Sequence, residues 1–551
     1  MSAKITTAFG YAVPPAPHHA VTVHMPGWQT VERYSVDARS VIKTFYSAYP
    51  RAKPHRDIAA VRSVSALDLS NAVLNHLKLN DHSCFLFSSS ISAAECLRYA
   101  TSTIREDGGE KDHVRPTSIR LQAFQAKDRF WAVVFSTEDL PIVQGFWSRP
   151  GVGISSRFAE ANLPFCDQLR EVEASEERQP RSSFETTEHE ELRRRIVSYL
   201  NRATLRPATL SDPTSGDVYL FPSGMASIYK PHTYLSSRYH GTTILFGMAF
   251  MDTVVALEEY GAGFKFLGLG TDEDLTALET YLQQEHEQGR KVQAIWAEFP
   301  ANPVLVTPDL VQLRALADKY GVILAVDDTI AGFANVDILH MTDILVTSLT
   351  KSFNGYADVI AGSAVLNPNS QHYLELKALF AEHYIPELYV DDVKTILQNN
   401  LDYLERTTKL NHNANSLVGY LQKCADDPST AVARVHHPSV NSSGKHYTRF
   451  LRRDTADFIP SHGCLFSVEL EDLPTTIAFY NNLNVHNSVH LGAPFTLAFA
   501  YTMCTYGKKL DWAAQYGLKP TQIRITAGLE DTKVLLEDFR RAVAAANRAK
   551  T

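Results

Sequence analysis

The stretch Val346-Thr-Ser-Leu-Thr-Lys351-Ser-Phe-Asn-Gly-Tyr-Ala-Asp358 decides the fold class of this chain. The apolar run Asp343-Ile-Leu-Val346 leads into it and predicts a short, buried parallel strand. Such strands present functional side chains at their carboxyl ends. Lys351 follows that end, with the hydroxyls of Ser348 and Thr350 close by in sequence. A lysine beside hydroxyl donors can hold an aldehyde covalently and grip a phosphate group on the same ligand.

Composition bounds the class of protein. At 551 residues the chain is long enough for two or three domains. A net charge of -8 without a basic stripe argues against nucleic acid as a partner. No apolar segment approaches the roughly 20 residues that span a bilayer, and the first residues lack a secretory apolar core. The six cysteines show no C-x-x-C spacing, so we expect neither zinc nor disulfide frameworks, and a cytoplasmic location.

The sequence pattern changes beyond Asp217, where apolar strand patterns alternate with helical ones. This alternation predicts parallel βαβ units and a mostly parallel, doubly wound α/β sheet. The five predicted strands cover residues 242–246, 264–267, 292–297, 322–326 and 344–346. The clearest helix follows the third strand, with Thr307 as its predicted cap and Gly321 at its end. We expect an N-terminal accessory α/β region (1–145), an arm and connector (146–215), a large domain (216–368) and a smaller C-terminal α+β domain (369–551).

Four further positions carry side chains suited to an anionic, aromatic ligand. Gly224 stands where a strand hands over to a helix, so the free N–H groups there can hold a phosphate or can form an ordinary helix cap. Asp327 and Asp328 end an apolar strand, where a carboxylate can pair with a protonated ring nitrogen or can simply cap a turn. Asn302 could donate to a phenolic oxygen. Arg524 could clamp a carboxylate, or lie exposed on an edge strand.

In this order, the pieces resemble the Cys/Met-metabolism family of pyridoxal-phosphate enzymes, which includes cystathionine γ-synthase, the cystathionine lyases and homoserine sulfhydrylases. The family's S-G-M-A, E-x-P-x-N-P, V-D-N-T, S-x-T-K and R-L-S-x-G motifs correspond to residues 223–226, 298–303, 326–329, 348–351 and 524–528. At the front, Pro14-Pro-Ala-Pro-His-His-Ala-Val-Thr-Val, Ala48-Tyr-Pro-Arg51 and Ile154-Ser-Ser-Arg157 are similar to the extended fungal branch of cystathionine γ-synthase. The resemblance implies a PLP-dependent transferase fold (aspartate-aminotransferase-like, fold type I) whose large domain binds the cofactor.

The resemblance also implies a role for each matching residue. Lys351 would bind the cofactor aldehyde and move protons, Asp327 would pair with the ring nitrogen, and Asn302 with the phenolic oxygen. The phosphate would be held by Ser348, Thr350 and the backbone at Gly224 and Met225, together with Arg157 from a neighbouring subunit. Arg524 would bind the substrate carboxylate. Active sites shared between subunits of a homodimer or homotetramer would follow.

Three positions depart from the family pattern. Phe246 aligns with the tyrosine that stacks on the cofactor, so the ring would lack a hydroxyl for proton transfer. His490 stands where the family has a serine near the lysine and the substrate carboxylate, and it either replaces the lost proton-transfer group or fills space. Asp328 replaces an asparagine.

The activity that follows from the resemblance is replacement of the γ-substituent of an O-acylated homoserine, with L-cysteine as the nucleophile and L-cystathionine as the product. Phe246 and His490 motivate an alternative in which a carbon or nitrogen nucleophile takes the place of cysteine in specialised metabolism. A lyase that releases a 2-oxo acid is a third hypothesis. A catalytically silent interaction subunit is a fourth, and the presence of both Lys351 and Asp327 argues against it.

Overall fold

The computed structural model describes residues 4–47, 49–58, 68–105, 108–173 and 183–550. These residues form three sheets, of four, seven and five strands in chain order. In the described part of the chain, no helix has both the length and the apolarity that a bilayer crossing requires.

The seven-stranded sheet has the order β5-β11-β10-β9-β8-β6-β7. Strands β10, β9, β8, β6 and β7 run parallel, and β11 runs antiparallel to both of its neighbours. The strands are β5 (Val218–Phe221), β6 (Thr242–Phe246), β7 (Phe264–Leu267), β8 (Val292–Glu298), β9 (Ile323–Asp327), β10 (Ile344–Thr347) and β11 (Gly362–Leu366). All five strands predicted from the sequence are confirmed to within one residue at each end, and so is the doubly wound, mostly parallel architecture.

Helices cover both faces of this sheet, which explains why its strands read as continuous apolar runs. All seven residues of β8 are buried, because neither face meets solvent. The helices that follow strands or flank the sheet are α7 (Thr187–Leu200), α8 (Ala226–Tyr239), α9 (Met251–Glu259), α10 (Asp272–Glu287), α11 (Leu310–Tyr320) and α12 (Gly332–Asn335). The predicted cap of α11 is wrong by two residues: Asp309, not Thr307, accepts from the backbone of Val311 and Gln312, since its carboxylate lies directly at the first turn. The predicted end at Gly321 is confirmed, with φ of 62°.

The N-terminal part combines an arm with a small sheet of order β1-β3-β2-β4. The N-terminal arm, called the arm from here on and distinct from the predicted arm at 146–215, comprises the described residues 4–47 and 49–58; it carries α1 (Trp28–Val36) and α2 (Ala38–Lys43) and packs on the C-terminal part, where Met25 N donates to Asn487 O. The sheet region contains α3 (Leu69–His76), β1 (His82–Phe87), α4 (Ser90–Thr101), β2 (Ile119–Gln125), β3 (Arg129–Ser136), α5 (Leu140–Ser148), α6 (Ser156–Asn162) and β4 (Arg170–Val172). Its fourth strand therefore comes from residues that the sequence assigns to the connector. Most of the predicted polar connector, residues 174–182, lies outside the described residues. The domain boundaries at 145, 215 and 368 stay predictions.

The C-terminal part is an α+β unit built on a sheet of order β12-β13-β16-β15-β14. Its strands are β12 (Val432–His436), β13 (Leu465–Leu470), β14 (His486–Asn487), β15 (Leu497–Phe499) and β16 (Gln522–Thr526). Its helices are α13 (Tyr373–His383), α14 (Val390–Asn399), α15 (Tyr403–Ala425), α16 (Gly444–Thr448), α17 (Leu473–Asn482), α18 (Tyr501–Tyr506), α19 (Leu510–Ala514) and α20 (Thr532–Ala549). Strand β16 is central and fully buried, so Arg524 does not lie on an exposed edge strand.

Candidate active site

A cavity of about 380 Å³ opens at the carboxyl ends of β8, β9 and β10. This is the edge at which ligands bind in open α/β sheets, and the volume is within the range of small-molecule sites. The arm and strands β15 and β16 close its other sides. Charged and polar side chains converge on it from all three parts of the fold; they are Tyr49, Arg51, Asp252, Glu298, Asn302, Asp327, Ser348, Lys351 and Arg524.

Lys351 stands in the turn that follows β10 and faces this cavity. Its Nζ lies 4.7 Å from the centre of the Tyr49 ring and 3.5 Å from Nδ1 of His490. Burial lowers the pKa of Lys351, and the nearby positive charges of Arg51 and Arg524 lower it further against the opposing effect of Tyr49. A lysine whose amine loses its proton more easily is suited to attack an aldehyde and to accept a proton from carbon.

The two aspartates at the end of β9 face different surroundings. Asp327 lines the cavity, and its Oδ1 accepts from the backbone N of Thr329 at 2.8 Å. Asp328 points away, is 1 % exposed and accepts from the hydroxyl of Thr347 at 2.5 Å. Burial raises the pKa of both carboxyls. Only Asp327 is therefore placed to meet a ring nitrogen in the cavity, and Asp328 is a structural partner of the neighbouring strand.

Glu298 and Asn302 form the floor between β8 and the cavity. The two oxygens of Glu298 accept from the backbone N of Phe250 at 2.7 Å and of Asn302 at 3.0 Å, which fixes both loops. Burial, and next the charge of Asp327, raises the pKa of Glu298. Asn302 Oδ1 in turn accepts from Nη1 of Arg524 at 3.3 Å.

Arg524 reaches the cavity from the middle of the C-terminal sheet. Its Nη2 donates to Val489 O at 2.6 Å, and its guanidinium carbon lies 4.9 Å from the centre of the Tyr501 ring. Burial lowers the pKa of Arg524 to about 10, which leaves it charged at neutral pH. A buried guanidinium facing a cavity is suited to a bidentate hold on a carboxylate.

The other end of the cavity lies at the beginning of α8. Gly224 and Met225 line it, and a Cβ added at Gly224 would stand 2.5 Å from Ser348 Oγ, so only glycine allows this close approach. Arg51 lies at the same end of the cavity. Both Arg51 and Ser223 are close to Gly151, because a Cβ added at Gly151 would lie 3.0 Å from Arg51 Cδ and 2.3 Å from Ser223 Oγ. Free N–H groups, a hydroxyl and a guanidinium at a helix N-terminus together make an anion site.

Four residues predicted for the site do not line the cavity: Phe246, Thr350, Arg157 and His490, of which His490 is described below. Phe246 is fully buried in the core behind the sheet, because β6 ends there with its last side chain on the far face; Phe250, four residues later, lines the cavity instead. Thr350 is also fully buried, and its hydroxyl both donates to Ala361 O and accepts from Ala361 N. Arg157 donates to Asp358 O at 2.7 Å and to Asp392 Oδ1 at 3.2 Å, outside the main cavity of its own chain, and its role in the site of a neighbouring subunit stays a prediction.

Tyr49 and Arg51 are the residues that sequence reasoning missed. Both lie in the Ala48-Tyr-Pro-Arg51 segment, whose first residue is outside the described part of the chain. Arg51 Nη1 donates to Ser148 O at 2.6 Å and to Asp252 Oδ2 at 2.9 Å. The sequence pattern at this place is an aromatic residue two positions before an arginine. By itself such a pair does not predict contact with Lys351, which lies 300 residues after Arg51 in the chain.

His490 lies directly behind Lys351 and is 1 % exposed. Burial lowers its pKa well below the ordinary value, and the charges of Lys351 and Arg524 add to the effect, so the imidazole is neutral. Its neighbours Val489 and Leu491 line the cavity. The position is therefore close enough to Lys351 for a proton-transfer role, which stays a prediction.

Comparisons with known proteins agree with this geometry. Residues 209–544 match the family described as Cys/Met metabolism PLP-dependent enzyme, and residues 65–155 match the N-terminal domain of fungal trans-sulfuration enzymes. The chain belongs to the Cys/Met-metabolism family of PLP-dependent enzymes. It is 30% identical to a cystathionine γ-synthase of Neurospora crassa (97% of each chain covered) and 31% identical to an alanine racemase of Aspergillus violaceofuscus (98% and 97% covered).

A solved structure supports the fold. The cystathionine γ-synthase of Xanthomonas oryzae pv. oryzae aligns with a TM-score of 0.55 at 19% identity, over 67% of this chain and 88% of that one. The predicted fold class is thereby confirmed, and the enzyme is a PLP-dependent enzyme whose cofactor is pyridoxal 5′-phosphate.

The side chains in the cavity fit this cofactor. The close approach of Gly224 to Ser348, with Arg51 beside it, suits the phosphate. Asp327 supplies a carboxylate for the pyridine nitrogen and Lys351 an amine for the aldehyde. The set of donors thus matches the functional groups of the cofactor one by one.

Proposed function

We propose that this enzyme replaces the γ-substituent of an O-acylated L-homoserine, with L-cysteine as the nucleophile and L-cystathionine as the product. The observation that carries the proposal is the meeting of Lys351, Asp327 and Arg524 in one cavity. Full-length similarity to a cystathionine γ-synthase adds support. Related PLP enzymes share the same first proton transfer, so the identity of the nucleophile is the part of this proposal to test first.

Pyridoxal phosphate, when bound, supplies an electron sink that stabilises negative charge on the substrate carbon skeleton. Arg524 would bind the α-carboxylate and so orient the amino acid. Lys351 would accept the proton from Cα, give that proton up within the site and so return to the neutral amine, and then accept a proton from Cβ, for which its lowered pKa is suited. Asp327 would keep a proton on the ring nitrogen, and the Ser348 hydroxyl would hold the phosphate.

Tyr49 would assist Lys351 as a second proton carrier. Burial acts to raise the pKa of the Tyr49 phenol, but the charges of Lys351 and Arg51 outweigh burial and leave the pKa below its ordinary value. A phenol of lowered pKa beside the lysine can donate a proton and recover it within the reaction. It would also compensate for Phe250, which provides an aromatic face but no hydroxyl.

A second candidate keeps the same chemistry up to loss of the γ-substituent and uses a carbon or nitrogen nucleophile. It is favoured by Phe250 and His490, which change the groups available to an incoming thiol. We also propose that the enzyme acts on these small amino acids in the cytoplasm as a homodimer or homotetramer. Whether a neighbouring subunit completes the active site stays a prediction.

The test uses purified holoenzyme with O-acetyl-L-homoserine or O-succinyl-L-homoserine and L-cysteine, with products identified by mass spectrometry. Cystathionine formed by the wild type and not by Lys351→Ala is the expected result. Amine and carbon-acid nucleophiles are offered in parallel, and adducts with these alone would favour the second candidate. Release of a 2-oxo acid without any nucleophile would indicate a lyase, and exchange between L- and D-alanine a racemase. Either result, without cystathionine, would overturn the proposal.

A further inference from the structure

Three histidines and two carboxylates lie close together at the base of the arm, apart from the cavity. His18, His19, His55 and Asp57 come from the arm, and Glu160 comes from α6. The separations are 3.0 Å for His18 Nε2 to Asp57 Oδ2, 3.3 Å for His18 Nε2 to Glu160 Oε1, 3.0 Å for His19 Nε2 to Glu160 Oε2, and 3.3 Å for His55 Nδ1 to Asp57 Oδ2. Two overlapping sets, His18, His19 and Glu160, and His19, His55 and Asp57, have all their ligand atoms within 4.8 Å of one another.

These spacings are those of ligands around a shared ion. Imidazole nitrogens and carboxylate oxygens bind Zn²⁺ at about 2.0–2.2 Å, so two ligands in a tetrahedral site lie about 3.4 Å apart. His55 is held by hydrogen bonds, since its Nε2 donates to His18 O at 2.9 Å and its Nδ1 accepts from the backbone N of Asp57 at 3.3 Å. The set of His18, His19 and Glu160 lies beside it, and both imidazole Nε2 atoms of that set face the Glu160 carboxylate.

The outer nitrogen of His19 has the kind of partner that metal-binding histidines usually have. Its Nδ1 lies 3.0 Å from Ser156 Oγ. Such a contact fixes the tautomer and the ring orientation.

The positive charges of two arginines near the cluster do not prevent a cation from binding there. Arg157 is balanced by Asp392, with Nη1 at 3.2 Å from Oδ1. Arg56 now donates to Nδ1 of His18 at 2.5 Å, but its side chain is 63 % exposed and can turn into solvent. The carboxylates of Asp57 and Glu160 would then balance the charge of a divalent ion.

We propose that His18, His19 and Glu160 bind a divalent first-row metal ion of the Zn²⁺ type. Mixed imidazole and carboxylate ligands select this class of ion. The ion would fasten the arm to α6, next to the overlapping set of His19, His55 and Asp57, which belongs to the same arm as Tyr49 and Arg51, the two arm residues described above in the cavity. Its role would be to hold the arm in place, and it would take no part in the chemistry.

The binding test uses holoenzyme stripped with a chelator, desalted and titrated with Zn²⁺, with bound metal measured by elemental mass spectrometry. One tightly held equivalent per chain is expected. The His18→Asn/His19→Asn double variant should lose it, and His412→Asn, an exposed histidine on α15, should keep it. Co²⁺ should give visible d–d bands in the wild type that are absent from the double variant.

A second variant guards against misfolding. Glu160 is 53 % exposed, so Glu160→Gln should leave the cofactor absorbance intact and still weaken Zn²⁺ binding at least tenfold. Zn²⁺ should also raise the melting temperature of the wild type and not of the double variant. Absence of a bound equivalent in the wild type, or equal binding by the wild type and the double variant, would overturn the proposal. Neither result depends on which nucleophile the enzyme uses.

Discussion

Replacing Arg51 and Arg157 separately should show which arginine serves the cofactor phosphate. Arg51 lies beside the Ser223–Met225 turn, and one charge-assisted hydrogen bond contributes about 1.5–3 kcal/mol. Arg51→Ala should therefore weaken pyridoxal phosphate binding by about 10- to 150-fold. Arg157→Ala should leave cofactor affinity unchanged, because Arg157 is held by Asp358 and Asp392 outside the cavity.

The second variant should instead lose stability. Asp392 is 1 % exposed, and removing its partner leaves a buried carboxylate unpaired, at a cost of about 3–5 kcal/mol. Cofactor affinity is measured by absorbance titration of the resolved enzyme, and stability by urea unfolding. Arg51→Lys, which keeps the charge but loses the fork, should fall between wild type and alanine. Loss of cofactor affinity in Arg157→Ala with normal affinity in Arg51→Ala would refute this reasoning and favour an arginine that reaches the site from a neighbouring subunit.

Three other perturbations test the same cavity. Gly224→Ala would force the new methyl against Ser348, so it should lower the free energy of unfolding by about 1–3 kcal/mol and weaken cofactor binding. As a control, Gly419→Ala, where an added Cβ meets nothing within 4 Å, should raise the free energy of unfolding by about 0.5–1 kcal/mol. Equal effects of the two substitutions in urea unfolding would contradict the expectation for Gly224. Folding raises the pKa of Glu298 from 4.5 to about 8, so the folded chain keeps a proton that the unfolded chain releases, and the stability of the apoenzyme should fall as pH rises between these values. Glu298→Gln should flatten that slope in unfolding measured across the window, and an unchanged slope would assign it to another group. Arg524→Lys should raise KM for the amino-acid substrate about tenfold or more with a smaller change in kcat, and an unchanged KM would remove Arg524 from carboxylate binding.

The strands of the large sheet could be predicted from the sequence because helices cover both faces of that sheet. Strands such as β8 and β9 must be apolar at nearly every position, and the polar residues that end them then mark the ligand edge. Lys351, Asp327 and Asn302 follow strand ends, so their convergence could be predicted. The choice between Asp327 and Asp328 came from the family resemblance and not from spacing, since adjacent residues at the end of a strand face opposite sides and the pattern alone does not say which one faces the cavity.

The errors in the site come from the same kind of local detail. Phe246 is the last residue of β6 and Phe250 lies in the loop beyond it, and the end of the strand was predicted correctly. What the motif alignment could not tell is which face of the sheet the last side chain of the strand meets, because adjacent residues of a strand face opposite sides, and the structure places Phe246 in the core. The hydroxyl of Thr350 lies away from the cavity for a related reason: it is bonded to the backbone of Ala361, a contact between turns that spacing does not reveal.

The arm was the part least accessible to sequence reasoning, and it has the largest electrostatic effect on Lys351. Tyr49 and Arg51 act on the lysine in opposite directions, since the phenol raises the pKa of the amine and the guanidinium lowers it. Docking of the arm therefore brings an aromatic ring and a cation to the lysine, and their charges shift the pKa of the amine in opposite directions while burial lowers it. Attachment of the arm, at α6 or elsewhere, is for this reason a means of assembling the site around its central amine.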